Sequence, residues 1–164
     1  MKDIPEHTRV YVDETGIHKE LVRDRGRALR GVKIHATKMG RMPKKHKVNV
    51  VAARRKDGFG NVSHIAPLCY KHTMNSAFFA DWFRKKLVKS IPKGSAIIMD
   101  NASHHPKTRL YNLAKRHGMR LLFLPTYSPD LNPIEKDWAN MKKHIVDQEI
   151  DMQDLEKAVY NYLL

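Results

Sequence analysis

The sequence predicts an α/β fold, one mixed central sheet flanked by helices, and three observations carry that reading. Val48–Ala53 is an apolar run that turns at Asp57-Gly58 and returns through Phe59–Pro67, the pattern of an antiparallel hairpin. Residues 95–100, 106–117 and 120–124 read strand, helix, strand, and a connection of that length implies parallel pairing with a right-handed crossover. Apolar stripes at helical spacing lie between and after these strands. At 164 residues the whole chain, 1–164, is expected to form a single domain with a sizeable core.

The first strand is expected at about 8–13, where Val10 and Val12 alternate with Arg9 and Tyr11. Residues 19–47 hold eleven Lys/Arg against two acids, broken by Gly26, Gly31, Gly40 and Pro43. They read as an extended basic loop with a short strand near 31–36. A helix is expected over about 74–89, capped by Asn75 or Thr73, with Phe78, Phe79, Trp82, Phe83 and Leu87 as its apolar face. Trp82 is assigned to the core rather than to base stacking. Ile91-Pro92-Lys93-Gly94 ends that helix. Pro106 suits the first turn of the next helix and Gly118 its C-terminal cap. Leu121-Leu122-Phe123-Leu124 is apolar throughout, as a strand covered on both faces should be. After a Pro-rich loop, a helix is expected to start with Asn132 as N-cap and Pro133 at its first position. Its buried face is Ile134, Trp138, Met141 and Ile145. A last helix, about 151–164, carries Met152, Leu155, Val159 and Leu163.

The charge narrows the function. Lys+Arg exceeds Asp+Glu by 31 to 17, a net charge of +14, which points to nucleic acid or another polyanion as partner. Ten of the eleven basic residues of the loop (Arg23, Arg25, Arg27, Arg30, Lys33, Lys38, Arg41, Lys44, Lys45 and Lys47) are assigned to gripping a phosphate backbone. One cysteine, Cys69, excludes an internal disulfide and a cysteine zinc cluster, and is read as a small core residue in a reducing cytosol. The first seven residues hold no apolar signal segment, and no run approaches the roughly 20 apolar residues of a membrane helix.

Against this basic background three acids stand out. Asp13 ends the stretch Arg9–Val12, Asp100 ends Ser95–Met99, and Glu135 follows Asn132-Pro133-Ile134. A carboxylate at the exit of a buried strand is costly unless a positive charge meets it. Each acid alone has a plainer explanation. Asp13 could open a turn before Glu14-Thr15-Gly16, Asp100-Asn101 could turn a strand into a helix, and Glu135 stands at capping-box spacing from Asn132. Together, with the basic surplus, they point to a divalent-metal site that faces a polyanion. Two Mg²⁺ ions about 4 Å apart can activate an attacking oxygen and stabilise the leaving one. The strands of Asp13 and Asp100 are expected side by side, with Glu135 rising from a nearby helix. The ten histidines suggest no zinc site: His104-His105 is the closest pair, and on a helix adjacent side chains diverge. Neither a phosphate-binding Gly-rich loop nor a Gly-x-Ser-x-Gly elbow is present.

Asp100-Asn101-Ala102-Ser103-His104-His105 and Leu124–Trp138, with its Ser128-Pro129-Asp130-Leu131-Asn132-Pro133-Ile134-Glu135 run, resemble a bacterial insertion-sequence transposase of the mariner superfamily of DDE transposases. Val10-Tyr11-Val12-Asp13-Glu14-Thr15-Gly16 resembles the segment with that family's first acid, and the family's 34-residue spacing between its second and third acids is found here between Asp100 and Glu135. The resemblance covers about residues 9–145. It implies a ribonuclease H-like core, Asp13, Asp100 and Glu135 as catalytic ligands of Mg²⁺ or Mn²⁺, and supporting roles for Asn101 and His105. Tyr127, Ser128 and Pro129 would shape the loop that delivers Glu135, and Trp138 is taken as core.

The implied function is metal-dependent cleavage and strand transfer of double-stranded DNA, at transposon ends and target, by a homodimer in a bacterial cytosol. The family carries a helix-turn-helix domain ahead of the first acid. Only twelve residues precede Asp13 here, so this chain is expected to be the catalytic half, with the helix-turn-helix absent or separately encoded. The alternatives are an inactive DNA-binding remnant and a ribonuclease H-like nuclease or resolvase.

Overall fold

A computed structural model describes residues 3–18, 47–125, 128–151 and 153–164 of the chain. Five strands form one sheet in the order β3-β2-β1-β4-β5. They are β1 (Arg9–His18), β2 (Lys47–Lys56), β3 (Val62–Tyr70), β4 (Ala96–Met99) and β5 (Arg120–Phe123). The sheet is mixed, as the sequence predicts. β1, β2 and β3 pair antiparallel, whereas β4 pairs parallel to both β1 and β5.

β1 is longer than expected. It does not stop at Asp13 but runs on to His18, because β2 accompanies it from Val10↔Arg55 to His18↔Lys47. The Thr15-Gly16 pair that suggests a turn is extended strand, and a Cβ built on Gly16 would lie 2.7 Å from the Lys47 side chain. The hairpin also differs from a two-residue turn at Asp57-Gly58. Asp57 Oδ1 accepts from the backbone N–H of Phe59 (2.9 Å) and Asn61 (2.8 Å), closing a wider loop with Gly60 at φ 94°. β3 consequently starts at Val62 and ends at Tyr70, three residues beyond the expected Pro67.

Helices cover both faces. On one side, α1 (Ser76–Trp82) continues through a π-helical turn, Phe83–Leu87, into α2 (Val88–Ser90), and α3 (Lys107–Arg116) lies between β4 and β5 in the chain. Val10, Val12, Val51, Ala53, Ile97, Met99 and Leu121 of the sheet meet Phe79, Trp82, Phe83, Leu87, Leu110 and Ala114 there. Trp82 is core, as assigned, and its indole N–H donates to the Ala66 carbonyl at 2.9 Å. Phe78 departs from the expected stripe: it is 40% exposed and rests against Tyr70. On the opposite side, α4 (Ile134–Asp147) and α5 (Leu155–Leu163) bury Ile134, Trp138, Met141, Ile145, Leu155, Val159 and Leu163 on Ile17, Val48, Val50, Ala52 and Cys69. Alternate residues of β1 and β2 serve opposite faces, as the pleat requires. Cys69 is buried, and burial pushes its thiol up to about 11. Among the described residues no helix is long and apolar enough to cross a membrane.

The punctuation is largely as read from the sequence. Gly94 and Gly118 take φ 83° and 69° where the chain leaves α2 and α3. Asn75, not Thr73, caps α1, its Oδ1 accepting from Phe78 N–H at 2.8 Å. Asn132 is the exception. Its side chain caps nothing and instead donates to the Val12 carbonyl, while its backbone carbonyl receives Glu135 N–H at 3.1 Å. The short strand expected near 31–36, and Tyr127 and Met152, lie outside the described residues. Asn75→Ala is expected to lower stability by about 1 kcal/mol through loss of the cap, read as a shift in the urea midpoint with an unchanged slope.

Candidate active site

The sheet positions the first two acids. Parallel pairing of β1 with β4 ends at Val12↔Met99, so the next residues on the two strands are Asp13 and Asp100. β4 stops there, while β1 continues with β2 alone. Asp13 therefore lies in mid-strand opposite Ala52 rather than at a strand end. Asp100 opens the connection to α3, with its side chain 53% exposed.

The third acid arrives on α4. Trp138, one turn beyond Glu135, is fully buried, and its indole N–H donates to Asp13 Oδ2 at 2.9 Å. Two further contacts fix this helix. Asn132 bonds the Val12 carbonyl, and Asp137 Oδ2 takes both Arg54 Nε and His64 Nε2 at 2.9 Å. Arg54 and His64 are cross-strand partners on β2 and β3, so both reach the same carboxylate. The helix start is thereby tied to three strands.

Electrostatics report the convergence. Burial, then the charge of Glu135, with a smaller contribution from Asp100, pushes the Asp13 carboxyl up to about 7, although the Glu14 N–H and Trp138 donate to it. Asp13 thus feels both of the other acids. Among the described residues no Lys, Arg or His forms an ion pair with Asp13 or Glu135. A buried carboxylate beside two like charges fits a cation, and the all-oxygen donor set suits a hard divalent one.

A second cluster lies across the sheet. Glu14 follows Asp13 and so points to the other face, into a cavity of about 170 Å³ lined by Val12, Asp13, Glu14, Phe79, Asp100, His104 and His105. Glu14 Oε1 meets His104 Nε2 at 3.2 Å and His105 Nε2 at 3.3 Å, and Tyr70 OH donates to Oε2 at 3.2 Å. Burial would raise the Glu14 carboxyl, but the two imidazoles outweigh it and hold it below the usual range. This corrects the expectation that His104 and His105 diverge: they precede α3 in an irregular turn, and their ring centroids are 4.3 Å apart. The sequence carries the clue, since Pro106 marks the start of a helix that excludes both histidines.

Of the expected supporting residues, His105 is buried with Nδ1 3.3 Å from Asp100 Oδ1. Asn101 is exposed, with no side-chain bond among the described residues. Lys47 is exposed at the start of β2, whereas Arg23, Arg25, Arg27, Arg30, Lys33, Lys38, Arg41, Lys44 and Lys45 lie outside the described residues. Trp138 is core, as expected, and also a hydrogen-bond donor to an acid of the site.

A five-stranded mixed sheet of this order with helices on both faces is the ribonuclease H-like fold. Residues 8–156 match the family model described as DDE superfamily endonuclease, and the chain belongs to that family. Among solved structures it is similar to a pre-cleavage Mos1 transpososome at 18% identity and TM-score 0.67, over 96% of this chain and 48% of that one. It is similar to the catalytic domain of Mos1 mariner transposase at 17% and 0.62, over 96% and 70%. The Mos1 transposase catalytic domain with raltegravir and Mn gives 17% and 0.65, over 99% and 72%. The chain thus spans about half the length of the Mos1 transpososome chain and most of the catalytic domain. No curated protein matches it.

The raised Asp13 carboxyl has a thermodynamic consequence. Its folded-state value, about 7, exceeds the ordinary 3.8, so the stability it contributes is present below pH 4 and lost as pH rises through 7. In protein stripped of divalent cations, Asp13→Asn is expected to raise the melting temperature at pH 8 by several degrees and to leave it nearly unchanged at pH 4, since Asn still accepts from Trp138. Calorimetry at the two pH values checks this.

Proposed function

We propose that this chain is the catalytic core of a DDE transposase, which cuts double-stranded DNA at transposon ends and joins the freed 3′ ends to target DNA. Asp13, Asp100 and Glu135 would hold Mg²⁺ or Mn²⁺, two ions in the working site. The observation that carries this reading is the placement of the acids: Asp13 and Asp100 follow the last β1–β4 rung, and Trp138, one turn beyond Glu135 on α4, bonds Asp13 at 2.9 Å. Family membership and the likeness to Mos1 catalytic-domain structures solved with Mn and with Mg support it.

When bound, such ions activate an attacking oxygen and stabilise the leaving oxygen of a phosphodiester. The chain's own residues supply the arrangement. Trp138 fixes Oδ2 of Asp13 and so orients the carboxylate as a ligand. The Arg54–Asp137–His64 contact holds the first turn of α4, and with it Glu135, over β1. His105 Nδ1 stands 3.3 Å behind Asp100, whose carboxylate is otherwise half open to solvent. Asp100 is thereby exposed on the side where a DNA backbone would approach, and the surplus of 14 positive charges draws a polyanion toward it. The basic residues from Arg23 to Lys47 would grip that backbone, and two copies would pair the two transposon ends. The Mos1 structures include a paired-end complex, which supports that assembly.

Asp100→Asn is expected to abolish Mn²⁺-dependent nicking of plasmid DNA while DNA binding stays intact, or tightens through loss of a negative charge. Both are read on the same preparation, by gel and by fluorescence anisotropy. Nicking at the wild-type rate would refute the assignment.

A further inference from the structure

We propose that Glu14 Oε1, His104 Nε2 and His105 Nε2 form a second metal site, for a borderline transition cation such as Zn²⁺, beside the carboxylate group and with ligand atoms of its own. The three ligand atoms lie within 4.8 Å of one another, and Oε1 is 3.2 and 3.3 Å from the two nitrogens. A tetrahedral ion with bonds of about 2.0–2.1 Å places its ligands about 3.3 Å apart. Oε1 therefore already stands at that spacing from each nitrogen, and the two nitrogens lie within 4.8 Å of each other. Two imidazoles and one carboxylate leave a fourth position open, facing the 170 Å³ cavity. Imidazole nitrogen selects against Mg²⁺, so this site and an all-carboxylate site would sort different ions.

The surroundings are those of a ligand set rather than of a chance cluster. Tyr70 OH holds the other Glu14 oxygen, which leaves Oε1 as a single-atom donor. Phe79 packs on the His105 ring at a centroid separation of 4.4 Å and meets the His104 ring edge-on at 6.4 Å. His105 Nδ1 is buried, with no well-aligned hydrogen bond, and faces Asp100 Oδ1 at 3.3 Å. His105 Nε2 thus meets Glu14 Oε1 at 3.3 Å on one side of the ring, while Nδ1 faces Asp100 on the other. With a metal bound, the row carboxylate–imidazole–metal is complete, and Asp100 becomes the outer partner that fixes the ring. The ion would be a positioning element for Asp100, acting through His105.

Cobalt(II) tests the site without DNA or catalysis. The full chain, stripped of metal, is titrated with Co²⁺ and followed by visible absorption. One equivalent is expected to bind with the intense d–d bands of a low-coordinate nitrogen–oxygen site and to be displaced by Zn²⁺. The bands should persist in the Asp13→Asn/Glu135→Gln double variant, which separates this site from the carboxylate triad. His104→Ala, at a side chain already 38% exposed, should fold normally and weaken binding at least about a hundredfold; Tyr70→Phe should weaken it about tenfold, through Glu14 alone. Pale octahedral bands that vanish in the double variant, undiminished binding in folded His104→Ala protein, or no Co²⁺ binding at all would overturn the proposal.

Discussion

The candidate site depends on one mismatch of length. β1 has ten residues and β4 four, and their parallel ladder closes at Val12↔Met99. Up to that rung the sheet is continuous, and Val10, Val12, Ile97, Ile98 and Met99 are buried. One residue further, β1 has a partner on only one edge, so a gap opens beside Asp13 with Asp100 on its far lip. Polar groups can stand at such a gap because water and ions reach it, whereas the same carboxylates one rung earlier would be sealed in an apolar layer at a cost of several kcal/mol each. The elements around the gap adapt to it. Asn132 closes on the Val12 carbonyl, Leu124 N–H extends the β4 edge to the Met99 carbonyl at 2.8 Å, and Trp138 reaches the Asp13 carboxylate.

The pleat then divides the chemistry. Successive residues of β1 send Asp13 toward α4 and Glu14 toward the α1–α3 side. Asp13 meets an indole N–H and the charges of two other acids; Glu14 meets two imidazoles and a phenol. One carboxyl is consequently pushed up and its neighbour is held down. Asp100, where the two environments meet, faces His105 on one side and acts electrostatically on Asp13 on the other.

Much of this was legible in the sequence because it rests on local rules. Apolar alternation marked the strands, Gly94 and Gly118 marked helix ends, and the strand–helix–strand run of 95–124 made β4 and β5 parallel neighbours. The adjacency of the Asp13 and Asp100 strands followed from the same reading and is present in the sheet. The errors came where tertiary partners overrode a local signal. Thr15-Gly16 reads as a turn, but the matching length of β2 draws it into the ladder. Asn132 reads as an N-cap, but its side chain turns to β1, where its amide N–H donates to the buried Val12 carbonyl. Glu14 and the Arg54–Asp137–His64 group were not visible, since their importance comes from residues 56 to 91 positions away in the chain. His104 and His105 lie in the turn before α3, where the divergence of adjacent helical side chains does not hold.

The central claim is that Asp13, Asp100 and Glu135 share divalent ions. Anomalous diffraction from crystals soaked in Mn²⁺ addresses it most directly. The account predicts anomalous peaks within about 2.0–2.3 Å of carboxylate oxygens of all three residues, absent from Asp13→Asn crystals grown in the same way. Manganese bound to only one of the three, with Glu135 turned back onto its own helix start, would contradict it.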